Sequence, residues 1–383
     1  MAKTIELMDH QKDALARLSS GSILYGGVGS GKTLTALAYY LKNNLGKKLL
    51  VITTAKKRDD GDWVKEAEMI GVPEQFLKVD SWNNIAKYVG LKDSLILFDE
   101  QRVVGSGAWV RSFLKLAKNN EWLLLSATPG DNWMDYVPVF IANGFYRNKT
   151  EFIDLHVEYD RYSSYPKVSK YHNVPRLNKY RDLVLVPMKF ERKTNRTRIF
   201  ENIGYDKLLY EEVRTKKINP FTKKPIKRAS EYTQVMRKIV ATSQDRISRA
   251  SQLMMKIDKL IVFYNYDYER EILIDLADMS GKMFSEWSGH IHGNIPKTDK
   301  WIYLVQYTAG AEGWNNIETD SIMFYSPNYS YKIVEQAEGR IDRLNTPFTE
   351  LKYYYLSSTA PIDEAVYSAI RKKKKFNESY WGR

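Results

Sequence analysis

Short apolar runs separated by helix-length segments recur in two blocks of the chain. In the first block "SILYG", "KKLLVITT", "SLILFDE" and "EWLLLSATP" read as strands, and in the second "KLIVFYN", "WIYLVQYT", "SIMFYSP" and "LKYYYLSS" do. Runs dense in Val, Ile, Leu and Tyr, spaced by helical stretches, predict parallel strands covered by helices. The pattern therefore predicts an α/β chain with two parallel-sheet lobes in tandem. From about 146 to 250 the periodicity weakens and Tyr and Lys dominate, which predicts an inter-lobe linker or insertion and no third sheet. The expected division is lobe 1 over 1–145, the basic insertion over 146–250, lobe 2 over 251–370 and a basic tail, "RKKKKFNESYWGR", over 371–383.

Composition adds a partner class. The 383 residues exceed one ordinary domain, and 43% hydrophobic with 27% charged residues is the balance of a globular chain. Lys and Arg total 59 against 46 Asp and Glu, a formal charge of +13. That excess favours a polyanion, because contacts to phosphates release counterions. It is concentrated in "VRTKKINPFTKKPIKR", which holds Arg214, Lys216, Lys217, Lys223, Lys224, Lys227 and Arg228; such a run is either a solvated or mobile face or a nucleic-acid contact. With no cysteine, disulfides, thiolate zinc sites and cysteine nucleophiles are excluded. No run approaches the ~20 apolar residues of a membrane span. The expectation is a soluble protein of the cell interior.

The chemistry begins at Gly26–Thr33, which fits G-x-x-x-x-G-K-[ST]. An apolar strand precedes it, and Leu34, Leu37, Ala38 and Leu41 follow at helical spacing. In such a loop Gly27, Val28, Gly29, Ser30 and Gly31 turn backbone N–H groups toward a phosphate. Lys32 sets its charge against the β/γ-phosphates, and Thr33 offers a hydroxyl to Mg²⁺. "SLILFDEQR" ends an apolar strand in Asp99 and Glu100, at the carboxyl edge of the expected sheet. Asp99 suits the metal, and Glu100 suits the attacking water. The cofactors expected are ATP and Mg²⁺.

Taken together with motifs further along, the chain resembles a superfamily-2 helicase of the Swi/Snf-type translocase branch, over most of its length. "MDHQ" resembles the motif that reads adenine and implicates Gln11; "GGVGSGKT" and "FDEQ" match the two Walker motifs, and "SATP" (Ser126 to Pro129) the motif coupling hydrolysis to lobe movement. "YTAGAEGWNN" resembles the fifth motif, implicating Glu312 and Gly313, with Trp314 beside them. "QAEGRIDRLN" matches the sixth, Q-x-x-G-R-x-x-R, with Gln336, Arg340 and Arg343. Placed at a helix start, two arginines three apart share a face and can address one γ-phosphate. The resemblance implies two RecA-like lobes, with ATP held by the first and the arginines brought by the second, so that hydrolysis moves a gripped polymer. One departure is Gln101-Arg102 after Asp99-Glu100, where the family carries Ala-His or similar. Without accessory domains the chain is similar to minimal bacteriophage-encoded members.

The expected activity is an ATP-dependent translocase or helicase acting on duplex or branched DNA, monomeric in isolation and with no membrane partner. An RNA helicase and an ATP-controlled nucleic-acid clamp stay open. A small-molecule P-loop kinase would need neither "QAEGRIDR" nor a second sheet. His290 and His292 in "HIHG" lack an evident third ligand and read as a loop.

Overall fold

The computed structural model describes residues 6–100, 103–162, 166–190, 193–310, 316–343 and 346–378. The chain divides into two compact units, Met1–Glu191 with Lys375–Arg383, and Arg192–Lys374. Each is built on a six-stranded, wholly parallel sheet. The fold is α/β with two parallel-sheet lobes, as the apolar pattern predicts, and agrees with the two RecA-like lobes that the resemblance implies.

In the first unit the strands are β1 (Ile23–Tyr25), β2 (Leu49–Thr53), β3 (Leu77–Ser81), β4 (Leu95–Asp99), β5 (Glu121–Ser126), β6 (Val157–Tyr159), β7 (Val168–Tyr171) and β8 (Leu185–Pro187). The sheet order is β3-β2-β4-β5-β1-β8, and β6 and β7 form a separate antiparallel pair. The near-continuous apolar runs arise because both faces are covered. Alternate residues point to opposite sides: Ile23, Ile52, Ile96, Phe98 and Leu124 meet Phe113 and Phe140 of the helices Ala108–Asn119 and Trp133–Ala142 on one side. Leu24, Val51, Leu95, Leu97 and Leu123 meet Leu37 and Tyr40 of Lys32–Asn43 and Trp63 of Asp62–Ile70 on the other. Each such side chain contributes roughly 1.5–3 kcal/mol when taken out of water.

The second unit carries β9 (Asn195–Ile203), β10 (Lys259–Tyr264), β11 (Met283–Trp287), β12 (Trp301–Gln306), β13 (Ser321–Phe324) and β14 (Glu350–Ser358), in the order β11-β12-β10-β13-β14-β9. Two core layers again lie on opposite faces, with Leu260, Val262, Leu304 and Met323 on one and Ile261, Phe263, Trp301 and Phe324 on the other.

The stretch 146–250 is no insertion between the lobes, which corrects that expectation. Its β8 pairs with β1 as the last strand of the first sheet, and its β9 pairs with β14 along a ladder from Asn195↔Glu350 to Ile203↔Ser358. β9, "NRTRIFENI", is an edge strand with mostly exposed or half-buried positions, so its sequence is polar and carries little of the period that marks a strand. The basic residues 371–375 are likewise no separate tail, because they continue the helix Pro361–Glu378. Among the described residues no helix is long and apolar enough to cross a membrane.

Candidate nucleotide-binding site

The loop 26–31 joins β1 to the helix Lys32–Asn43 at the carboxyl edge of the first sheet. Gly31 is the residue before the helix and has φ 78°. A Cβ there would lie 2.2 Å from the Gln11 amide nitrogen, so both its conformation and its surroundings require glycine. The helix start leaves backbone N–H groups without helical acceptors and a partial positive charge, the setting that suits a phosphate. Lys32 folds back over the loop, its Nζ donating to the carbonyls of Gly26 at 2.8 Å and Gly27 at 2.9 Å. Thr33 lies in the first turn of the same helix, and Ser30 is buried beneath the loop.

Gln11 meets the loop, though with its amide engaged by backbone: Oε1 accepts from Met8 N at 2.8 Å, and Nε2 donates to Gly31 O at 3.3 Å. The ring of His10 lies beside it, with Nε2 3.0 Å from Ser30 O. The helix Asp9–Arg17 is thus tied to the phosphate loop from the side.

β5 stitches the remaining first-unit motifs together. It lies between β1 and β4, with Tyr25 opposite Ser126 and Asp99 opposite Leu125. Gly26 N donates to Ser126 O at 3.2 Å, Glu100 N to Leu125 O at 2.9 Å, and Thr128 N to Ser126 Oγ at 3.1 Å. The phosphate loop, the acidic pair and "SATP" therefore share one sheet edge through one strand. Glu100 has φ 66°, left-handed for a side chain with a Cβ, a conformation costing about 1–3 kcal/mol that clusters at functional sites.

Asp99 is buried, and its Oδ2 accepts from Thr53 Oγ1 at 2.7 Å, Lys57 Nζ at 2.9 Å and Trp63 Nε1 at 3.1 Å. Burial pushes the carboxyl up, but the Lys57 ammonium and the hydrogen bonds from Lys57, Thr53 and Trp63 outweigh it and hold the group below the ordinary carboxylate range. It is therefore an ionised carboxylate at neutral pH. Nearby, burial lifts the Glu66 carboxyl from 4.5 to about 7, against the Lys57 ammonium and with the charges of Asp62 and Asp99 adding to the rise. Thr53, Lys57 and Trp63 were not among the sequence candidates. Their signal was positional: Thr53 ends the strand beside the acidic one, where a side chain on the same face reaches Asp99.

In the second unit Gln336 is buried on the helix Tyr331–Glu338, which Gly339 closes. Arg340 and Arg343 lie in the turn beyond that closure, which corrects their expected place at a helix start. The spacing of three between Arg340 and Arg343 suits a helix but equally fits a turn; the helix Tyr331–Glu338 has ended before them. The turn is held by its acidic neighbours. Arg196 of β9 donates to Glu335 at 2.8 Å, Glu338 at 2.9 Å and Asp342 at 2.7 Å; Arg198 grips Glu338 through Nε and Nη2, both at 2.6 Å. Thr194 Oγ1 and Tyr355 OH add bonds to Asp342 at 2.7 Å and Glu338 at 2.6 Å. Asn316 N donates to Arg340 O at 3.1 Å. Glu312, Gly313 and Trp314 lie outside the described residues, as do Gln101 and Arg102. His292 stacks on Trp287 with centroids 4.6 Å apart, and among the described residues no cluster of three or more metal-ligating side chains occurs.

No model of a protein family and no curated protein matches this chain.

Proposed function

We propose that the chain is a nucleic-acid-stimulated ATPase that couples Mg²⁺-ATP hydrolysis to movement along, or remodelling of, DNA. The observation that carries this reading is the shared edge of β1, β5 and β4, which sets Lys32, Asp99 and Glu100 in one framework around a phosphate-type loop. Lys32 and the loop N–H groups bind the β/γ-phosphates. Thr33 and the ionised Asp99 are hard oxygen donors of the kind Mg²⁺ takes, and the ion supplies charge neutralisation on the phosphate oxygens. Glu100 orients the attacking water and accepts its proton. Arg340 and Arg343 are assigned to the charge that builds on the γ-phosphoryl group. A second parallel sheet carrying an anchored arginine turn supports a motor over a small-molecule kinase.

The test is ATP hydrolysis measured side by side with single-stranded DNA, duplex DNA, branched DNA and RNA. Strong stimulation by DNA is expected. Turnover indifferent to every nucleic acid sinks the reading, and stimulation by RNA alone replaces DNA with RNA.

A further inference from the structure

The basic run 214–228 spans a helix end and a hairpin over residues 217–226. The helix Lys207–Lys216 ends at Lys217, whose φ is 54°. Ile218 and Pro225 form an antiparallel bridge, Ile226 N donates to Lys217 O at 2.7 Å, and Asn219 N donates to Lys224 O at 2.9 Å. The Asn219 side-chain oxygen accepts from Phe221 N at 3.0 Å and Thr222 N at 3.3 Å. Ile226 and Tyr232 pack on a buried cluster that includes Tyr210, Val213 and Met236. The hairpin presents its side chains from a base packed on that cluster.

Its cations fall into two groups. Arg214 and Lys216 pair with Glu211 and Glu212, and the Lys217 ammonium lies 3.9 Å over the Tyr232 ring. Lys223, Lys224, Lys227 and Arg228 are exposed and form no ion pair among the described residues. Like charges held together on one element repel, and a polyanion relieves that repulsion.

Beside these cations is an opening of about 370 Å³ whose wall holds Phe221, Gln234, Lys238, Tyr266 and Tyr268, together with the carboxylates of Glu231 and Asp267. Phe221 is 43% exposed. Tyr266 and Tyr268 stack with centroids 5.3 Å apart, and the Lys238 ammonium lies 4.5 Å from the Phe221 centroid and 5.2 Å from that of Tyr268. The Tyr268 hydroxyl is buried and has no hydrogen-bond partner among the described residues. Tyr266 and Asp267 follow β10 directly, so the opening sits at the carboxyl edge of the second sheet, where parallel α/β sheets bind ligands. An unstacked nucleobase matches this set: a π face for the exposed Phe221 ring, a polar edge for Gln234, and flanking phosphates for the lysines. Bases in a duplex are already stacked on one another and would leave Phe221 and the opening unused.

We propose that the hairpin and this opening bind single-stranded nucleic acid, one base stacking in the opening while Lys223, Lys224, Lys227 and Arg228 contact phosphates. The proposal deepens the DNA-motor reading and takes its class of polymer from it. The test uses the full chain with fluorescein-labelled oligo-dT, the matching abasic phosphodiester and a duplex, with anisotropy followed against salt. For Phe221→Leu, which keeps an apolar cover but loses the ring, oligo-dT affinity should fall about 5- to 150-fold, the range for one stacked base. Affinity for the abasic chain should stay unchanged. For Lys223→Gln with Lys224→Gln, the slope of log K against log salt should flatten by roughly 0.7 for each phosphate that is no longer neutralised. Variants that bind oligo-dT like the wild type overturn the proposal, as does a Phe221→Leu protein that weakens duplex, abasic and oligo-dT binding equally. The two readings fail separately: hairpin-dependent oligo-dT binding in a protein that hydrolyses no ATP keeps this surface and removes the motor, whereas DNA-stimulated hydrolysis with hairpin-independent binding does the reverse.

Discussion

The phosphate loop of the first unit and the arginine turn of the second are held by different means. The phosphate loop is shaped chiefly by its own residues, with glycine at φ 78°, a lysine side chain folded onto carbonyls five and six residues back, and a strand and helix at its two ends, and is braced by His10, Gln11 and Ser126. The arginine turn is fixed by carboxylates on the same short segment, which are gripped by arginines about 140 residues earlier in the chain. A loop of the first kind carries its instructions with it. One of the second kind depends on a distant edge strand, so damage far from the motif should reach it.

The largest effect should come from Lys32→Ala, which removes the charge we assign to the β/γ-phosphates. ATP turnover should be abolished with the far-UV circular dichroism and melting temperature close to wild type, because Lys32 is half-buried and its Nζ bonds to carbonyls of its own loop. Full hydrolysis by the folded variant would end the assignment of the loop. Next in size is Arg340→Ala, expected to lower DNA-stimulated kcat by about 10³–10⁵-fold, the range for an arginine that stabilises a phosphoryl transition state. Wild-type turnover in this variant would mean that the second unit contributes nothing to the chemistry.

Arg196→Met sharpens the contrast. It leaves Glu335, Glu338 and Asp342 without a shared cation in a site where Arg196 is only 11% exposed, and breaking a buried pair in this way costs about 3–5 kcal/mol. Urea unfolding should register that loss, and turnover should fall although β9 belongs to no nucleotide motif. If stability and kcat both stay put, the arginine turn is held locally and the contrast between the two loops disappears.

The smallest effect is a pH dependence around Asp99. Glu66 has its folded pKa raised from 4.5 to about 7, so between those values the folded state binds more protons than the unfolded chain. Stability should therefore decline as pH rises through that window. Glu66→Gln should flatten the decline. Asp99 has the opposite sign: its folded pKa is lowered from 3.8, so its contribution is present above 3.8 and is lost as pH falls through the lower folded value. Lys57→Met should remove that contribution at neutral pH, and its deficit against wild type should shrink in acid. Urea midpoints across pH read both slopes, and a Glu66→Gln profile parallel to wild type would refute the raised carboxyl.

Much of the first unit was legible because its signals are local. A buried parallel strand needs an apolar run, a phosphate loop needs glycines at set spacing, and a carboxyl-edge acid follows directly from a strand end. β9 and the position of Arg340 were hidden for the converse reason. An edge strand open to solvent keeps polar residues and loses its period, and a three-residue spacing of Arg340 and Arg343 does not distinguish a helix start from the turn that follows a helix end. The seven cations of 214–228 were plain in the sequence, but not which of them are already paired.

By itself the sequence determined the two α/β blocks, the positions of the phosphate loop and acidic pair, and the excess of positive charge, since all of these follow from residue type within one element. Tertiary structure alone decided that β5 joins the loop to the acids, that Lys57 and Trp63 close on Asp99, that Arg196 and Arg198 grip the arginine turn, and that the basic run forms a hairpin beside stacked tyrosines. Apart from the hairpin's own turn, these join segments far apart in the chain, made where strand order and sheet edges bring them together, and no spacing within a single segment encodes them.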